Sequence, residues 1–310
     1  MYVKRIELEN FKKFTSHTLV CNRYNILTGR NNAGKSTSLD ALRIVHDVLR
    51  YVSRRNASRV TFEGEVCAGY EISHSIIRLP ILHLSKDYSE NPAKIKVILE
   101  NDNELIVILD EAYPIKAYFR LNDTLTTQGK TLLKEFPLNL VVVPTLGPVE
   151  EKENYLTDKT IDRSENTRTA HRHLRNILIR KTADQFEEFS KIVSEAWPGI
   201  KIEKPEVGLG DDPMLMFFNE NRIPREIFWS GFGFQVWMQI MLQFMRGDRC
   251  STLVLDEPDI YLHPDLQVLL IKMARERFGQ IFIATHSTAI IQKAKPGEVI
   301  DISSQTKLKI

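Results

Sequence analysis

The sequence has no apolar run close to the roughly 18 residues that a bilayer-spanning helix needs, so no membrane anchor is expected. Cysteine is scarce. Cys21, Cys67 and Cys250 are the only three, far apart and without CxxC spacing, which leaves neither a disulfide framework nor a zinc site to expect, only reduced, buried thiols. Excess charge of one sign is also missing. Lys and Arg number 42 against 40 Asp and Glu, a net charge of +2, so no global field argues for nucleic acid or an anionic membrane. Residues 1–11 alternate charged and apolar types and do not read as a signal peptide, which makes the cytoplasm the expected location. No internal repeat or low-complexity segment is present. What remains is ordinary for a folded protein: 310 residues, 43% hydrophobic and 26% charged. That length suits one large α/β domain with an inserted lobe, or two small domains.

The chain opens with a strand pattern over Tyr2 to Leu8, a turn at Asn10, and a second apolar stretch from Thr18 to Cys21. Tyr24 to Leu27 is a short apolar run, followed by a glycine-containing loop. Leu39, Leu42, Val45, Val48 and Leu49 then recur at helical spacing. Between about Thr61 and Phe136 the pattern is β-rich. Lys94 to Leu99 and Glu104 to Leu109 flank Glu100-Asn101-Asp102-Asn103, a hairpin turn, and Ile115 to Phe119 is a further strand. Leu138 to Val143 reads as a buried strand, stopped by Pro144. Helical spacing runs from Ser164 to about Trp197, where Pro198-Gly199 ends it. The last third alternates: helix Phe234 to Phe244, strand Thr252 to Leu255, helix Pro264 to Phe278, strand Ile281 to Ala284, helix Thr288 to Ala294 and strand Glu298 to Ile302.

Gly29-Arg30-Asn31-Asn32-Ala33-Gly34-Lys35-Ser36 fits the phosphate-binding pattern GxxxxGK[ST], with a strand before it and a helix after. Backbone N–H groups of this loop and the helix N-terminus would cradle a β-phosphate. Lys35 would neutralise β/γ oxygens and the Ser36 hydroxyl would ligate Mg²⁺, with Thr37 closing the cradle. Leu253-Val254-Leu255-Asp256-Glu257-Pro258 is an apolar strand ending in two carboxylates. Asp256 is expected in the Mg²⁺ shell and Glu257 as the base that orients the attacking water. Ser230-Gly231-Phe232-Gly233-Phe234-Gln235 precedes a helix and offers a second anion cradle, which one chain does not need twice. It is better explained as serving another copy's nucleotide. Ile283-Ala284-Thr285-His286-Ser287 puts a histidine at a strand end, in reach of a γ-phosphate.

This order of motifs resembles the ATPase heads of the ABC superfamily, and within it the SMC/RecF/OLD group. Ile6-Glu7-Leu8-Glu9-Asn10-Phe11-Lys12-Lys13-Phe14 resembles that group's first strand and turn. The P-loop and Glu257-Pro258-Asp259-Ile260-Tyr261-Leu262-His263-Pro264 are similar to OLD-like ATPases of bacterial anti-phage defence. The resemblance implies an α/β P-loop fold with a parallel-sheet core, an antiparallel β-subdomain and an inserted helical lobe. The expected division is a P-loop part at 1–60, the β-subdomain at 61–143, the helical lobe ending in the signature at 144–235, and the Walker B and histidine part at 236–310. It further implies ATP and Mg²⁺ as cofactors and an ATP-dependent homodimer. In that dimer Ser230, Gly231 and Gly233 contact the partner's γ-phosphate, His286 is the switch histidine, and Lys12 and Lys13 approach the nucleotide. His263 falls where transporter ATPases carry aspartate, as in OLD-like proteins.

Two features depart from the family. No glutamine follows the strand ending at Val143, where the Q-loop would be, and the signature is SGFGFQ instead of SGGQ. OLD nucleases carry a Toprim metal site after the head. Here eight residues follow Ile302, with no glutamate and Asp-x-Asp cluster, so the expectation is either an ATPase that controls a separate effector protein in phage defence or the N-terminal piece of a longer protein. The alternatives are a RecF/SMC-like repair ATPase that clamps duplex DNA and, more remotely, a transporter subunit. Arg163, Arg168, Arg172, Arg175, Arg180 and Lys181 form a basic stretch, with Arg168, Arg172 and Arg175 on one helical face; such a run most often is a solvated face, with an acidic partner or the DNA backbone as the alternatives.

Overall fold

A computed structural model of the chain describes residues 1–62, 64–80, 84–122, 124–125, 132, 134–164, 167, 169–208, 212–248, 251–303 and 306–307. Among them an eight-stranded antiparallel sheet is built from β1 (Val3–Phe11), β2 (Phe14–Val20), β4 (Ser58–Phe62), β5 (Glu65–Ile72), β6 (Ala93–Leu99), β7 (Glu104–Leu109), β8 (Ile115–Leu121) and β9 (Thr124–Leu125). Its order is β2-β1-β6-β7-β8-β5-β4, with β9 on β8. A six-stranded sheet has the order β10-β14-β15-β3-β16-β17, formed by β3 (Tyr24–Thr28), β10 (Asn139–Val143), β14 (Ser251–Asp256), β15 (Gln280–Ala284), β16 (Val299–Asp301) and β17 (Thr306–Lys307). It is parallel except at β17. The opening strands thus pair in the antiparallel sheet with β6, and Asn139–Val143 lies in the parallel one, so division by sheet cuts across division by chain segment.

Helix α1 (Lys35–Val52) lies between the two sheets. Parity along the parallel strands explains how. Leu140, Val142, Val254, Phe282 and Ala284 face α1 and the antiparallel sheet in one apolar cluster. Val141, Val143, Leu253, Leu255, Ile281 and Ile283 face the opposite cluster with the later helices. Both faces are covered, which is why β14 is buried at every position and reads as a continuous apolar run. Gln280 ties the layers. Its amide donates to Val3 O and Asn22 O at 2.8 Å each, and its oxygen accepts from Val3 N at 2.9 Å.

The lobe after β10 holds α2 (Asp158–Ser164), a 3₁₀ turn Ala170–His173, α3 (Leu174–Ile179), α4 (Ala183–Ser194) and a three-stranded sheet of β11 (Ile200–Ile202), β12 (Phe217–Glu220) and β13 (Ile223–Glu226). The single helix expected from Ser164 to Trp197 is therefore broken. Thr182 starts α4 with a capping box to Gln185, a local signal that competes with continuous helix. Gly199 at φ 91° ends the segment. Helices α5 (Phe232–Phe244), α6 (Pro264–Arg277) and α7 (Thr288–Ile291) complete the chain. No helix among the described residues is long and apolar enough to cross a membrane. Cys21 is buried and Cys67 half-buried, both reduced; Cys250 lies outside the described residues.

Two neighbours on α1 titrate in opposing directions. Burial, then the charges of Arg78, Arg246 and Arg50, pushes the His46 imidazole from 6.5 down to about 4. Burial pushes the Asp47 carboxyl up to about 6, against a hydrogen bond and charge from Arg78. A histidine with a depressed folded pKa costs stability as pH falls from its unfolded value, whereas an aspartate with a raised one regains stability over the same descent. His46→Gln should therefore show a Tm that climbs relative to the unsubstituted protein between pH 6.5 and 4. A pH-independent difference in thermal melting would refute this.

Candidate functional site

The P-loop joins β3 to α1 at the carboxyl end of the parallel sheet. Gly34 stands at φ 113°, and a Cβ there would meet the Phe14 ring at 2.3 Å, so glycine is required twice over. Asn32 sits in the left-handed region at φ 60°. Phe14 brings the β1–β2 turn against this loop. In that turn Lys13 donates to the Asn32 carbonyl, and Lys12 pairs with Asp40.

A cleft of about 590 Å³ opens here. It is lined by Asn31 to Thr37 on one side and by Glu257, Asp259, Ile260 and His286 on the other. Lys35 Nζ donates to Gly29 O at 3.0 Å and Arg30 O at 3.3 Å, and lies 2.7 Å from His286 Nε2. An ammonium has only protons to offer, so Nε2 is the acceptor in this pair. Burial pushes the Lys35 ammonium below its usual value, opposed by the charges of Glu257, Asp256 and Asp259. Ser36 Oγ donates to Asp256 Oδ1 at 3.1 Å. Asp256 continues the parity of Val254, and so its carboxylate faces α1 and the P-loop. Glu257 leaves the strand at φ 50°, which turns it away from its neighbour and into the cleft.

The second oxygen of Asp256 is taken by a residue that motif reading missed. Arg43, buried on α1, donates to Asp256 Oδ2 at 2.9 Å and to Asp40 Oδ1 at 2.7 Å. With Lys12 on Asp40, this makes a chain of four alternating charges behind the phosphate cradle. A faint signal existed: Asp40, Arg43 and Asp47 interrupt the apolar face of the helix. Mg²⁺ favours oxygen donors and keeps several waters, and the hydroxyl of Ser36 beside the carboxylate of Asp256 fits that preference.

Ser230, Gly231 and Gly233 do not line the cleft of their own chain. Gly231 caps α5 with open space around it, and Ser230 Oγ donates to Ile227 O at 2.7 Å. Gly233 is required by a close approach, since a Cβ would lie 2.8 Å from Tyr261 O. The last residue of SGFGFQ is a brace. Gln235 is wholly buried, accepts from Val149 N at 2.8 Å and donates to Phe228 O and Ser230 O at 2.9 and 3.0 Å. Gln239 donates to Gly147 O at 2.9 Å. The segment after β10, which has no glutamine of its own, is thus tied to the signature helix. Thr145, Leu146 and Gly147 face Glu257, Ile260 and Tyr261 across a smaller cavity that His171 also lines.

Lys12 and Lys13 support the P-loop from behind and do not line the cleft. His263 caps α6 by accepting from Asp265 N. The basic stretch does not form the shared face expected of it. Arg175 is fully buried, paired with Glu226 at 2.7 Å and with Glu153 at 3.5 Å. Arg172 meets Glu150 at 3.0 Å and Arg180 meets Asp158 at 2.6 Å; Arg168 lies outside the described residues. Spacing on an ideal helix does not foresee this, because α3 turns inward to satisfy two buried carboxylates.

Residues 24–292 match the family described as "AAA domain, putative AbiEii toxin, Type IV TA system". The chain belongs to this family. It is similar to the "ATP/GTP phosphatase" of Helicobacter pylori (strain ATCC 700392 / 26695), at 24% identity over 344 residues, covering 99% of this chain and 91% of that protein. Two solved structures share its fold. One is an SMC head bound to the C-winged helix domain of ScpA, with a TM-score of 0.55 and 14% identity. The other, derived from Pyrococcus furiosus, is an Smc head with an extended coiled coil bound to the C-terminal domain of ScpA, with a TM-score of 0.51 and 12% identity. Each alignment covers 95% of this chain and 92% of the other. The chain shares with these heads a parallel P-loop sheet backed by an antiparallel sheet.

Removing Arg43 would strip the buried Asp256 of its paired cation and leave Asp40 with Lys12 alone. Arg43→Met should cost about 3–5 kcal/mol in urea unfolding, and Arg43→Lys distinctly less. A loss under about 1 kcal/mol would mean that the bridge does not hold this part together.

Proposed function

We propose that the protein hydrolyses ATP between two copies of itself, each supplying half of the phosphate pocket. The observation that carries this reading is the separation of two cradles in one chain. Lys35, Ser36, Glu257 and His286 surround one cleft, while Ser230, Gly231 and Gly233 stand outside its wall with Gly231 open on its surface. A helix N-terminus with unpaired N–H groups attracts an anion, and the chain's own cleft does not use this one.

In the proposed reaction the P-loop N–H groups and Lys35 hold the β- and γ-phosphates, and the partner copy's first turn of α5 closes over the γ-phosphate. Lys35 exchanges its hydrogen bond to His286 for phosphate oxygen, and His286 then faces the same group. Ser36 and Asp256 would hold Mg²⁺, which supplies charge neutralisation on the phosphates. Glu257 accepts a proton from the attacking water. Loss of the γ-phosphate removes the group that both copies grip, and the pair loosens. The assignments of ATP over GTP, of Mg²⁺ and of the homodimer belong to this reading. So does the division into P-loop part, β-subdomain, helical lobe and Walker B part.

In the cell, the reading is an ATPase sensor or scaffold that controls a separate effector in anti-phage defence. The family description, with its toxin and "Type IV TA system", supports a role of this kind. The resemblance of the Glu257 to Pro264 segment to OLD-like ATPases supports it too.

Lys35→Ala should abolish ATP binding in a filter or calorimetric assay. Glu257→Gln should keep binding, lower turnover by about 100-fold or more, and accumulate a dimer with ATP in light scattering. Wild-type turnover by Glu257→Gln would remove the base assignment. Turnover that is independent of protein concentration and of Ser230→Arg would remove the two-copy pocket.

A further inference from the structure

The far end of α1 carries a second site. Arg50 and Tyr51 on its last turn and Arg54 and Arg55 in the turn that follows, with Arg78 and Lys159 from other parts of the chain, line a cavity of about 1000 Å³. Among the described residues Asp47 is the one carboxylate in its wall, and it already accepts from Arg78 N at 2.9 Å and pairs with the Arg78 guanidinium at 3.8 Å. Arg54, Arg55 and Lys159 are exposed and have no carboxylate partner among the described residues. Basic residues at a helix C-terminus offset the helix dipole, and Arg50 alone would serve that purpose. The dipole does not explain why Arg78 and Lys159 converge on the same hollow from other parts of the chain. The positive field is felt nearby, since Arg78, Arg246 and Arg50 all disfavour a charge on His46.

We propose that this cavity is an effector site for a free nucleotide carrying several phosphates, separate from the P-loop cleft. Arg54, Arg55 and Lys159, set against one carboxylate already engaged by Arg78, suit a phosphate chain. The Arg55 guanidinium lies over the Tyr51 ring, 5.5 Å from its centroid, and its outer face is a plane on which a base can stack. The concavity and volume suit a small ligand. The site lies at the opposite end of an 18-residue helix from Lys35, roughly 27 Å away, so its occupant does not compete with ATP at the P-loop and acts on the same helix.

The test uses the full chain with Lys35→Ala, which disables the P-loop cleft. Calorimetry is run with sodium tripolyphosphate, with ATP in the absence of magnesium, and with a single-stranded deoxythymidine 10-mer. ATP should bind more tightly than tripolyphosphate, because the base adds contact. Arg54→Glu with Arg55→Glu should weaken ATP binding by about tenfold or more. Both positions are exposed, so thermal melting should be unchanged. No ATP binding, or binding indifferent to the pair, overturns the proposal. A 10-mer that binds about tenfold tighter than ATP also overturns it, in favour of a nucleic-acid strand. ATP turnover measured separately reports on the P-loop reading, so the two can fail independently.

Discussion

The alternating charges Lys12, Asp40, Arg43 and Asp256 hold together the parts on which the phosphate cleft depends. Each comes from a different place: the β1–β2 turn, two turns of α1, and the end of β14. Buried charge is costly unless every member is paired, so the arrangement tolerates little movement of α1 against β14. That restriction sets the distance between Ser36 and Asp256, the two oxygen donors suited to a metal. The buried bridge therefore acts at one remove from the chemistry, by making the cradle and the carboxylate strand one body.

A second constraint is the parity of the parallel strands. Every residue of β14 is buried, so alternate side chains must be accepted by two different apolar layers. Asp256 lies on the α1 side because it is two residues from Val254. Glu257 escapes the alternation through a left-handed backbone conformation, and one residue step thereby gives two carboxylates two environments. Strain of that kind is retained where the surroundings over-determine it. Here the Glu257 N–H donates to Ala284 O at 2.8 Å.

The signature segment is rigidly held although it serves nothing within its own chain's cleft. Gln235 fixes its carbonyls, and Glu226 accepts from Phe228 N at 2.7 Å while being gripped by Arg175. Trp229 and Phe232 stay exposed beside it. An anion cradle held in place and an unburied aromatic rim thus share one edge of the fold. The same buried arginine that braces this edge is one that sequence spacing placed on an exposed basic helical face.

The P-loop, the strand ending in two carboxylates, the helix–strand alternation of the last third and the antiparallel hairpin were legible from residues in a row, because each is a local pattern of backbone freedom and side-chain period. Glycine at position 34, lysine at 35 and the apolar run before Asp256 carry their meaning within a few positions. Only the tertiary structure decided that Arg43 reaches across 213 positions to Asp256, that Lys35 and His286 meet across 251, that Arg175 turns inward, and that the signature faces away from its own cleft. Those outcomes depend on which layers pack together, and the chain's local propensities carry no record of a partner so distant in sequence.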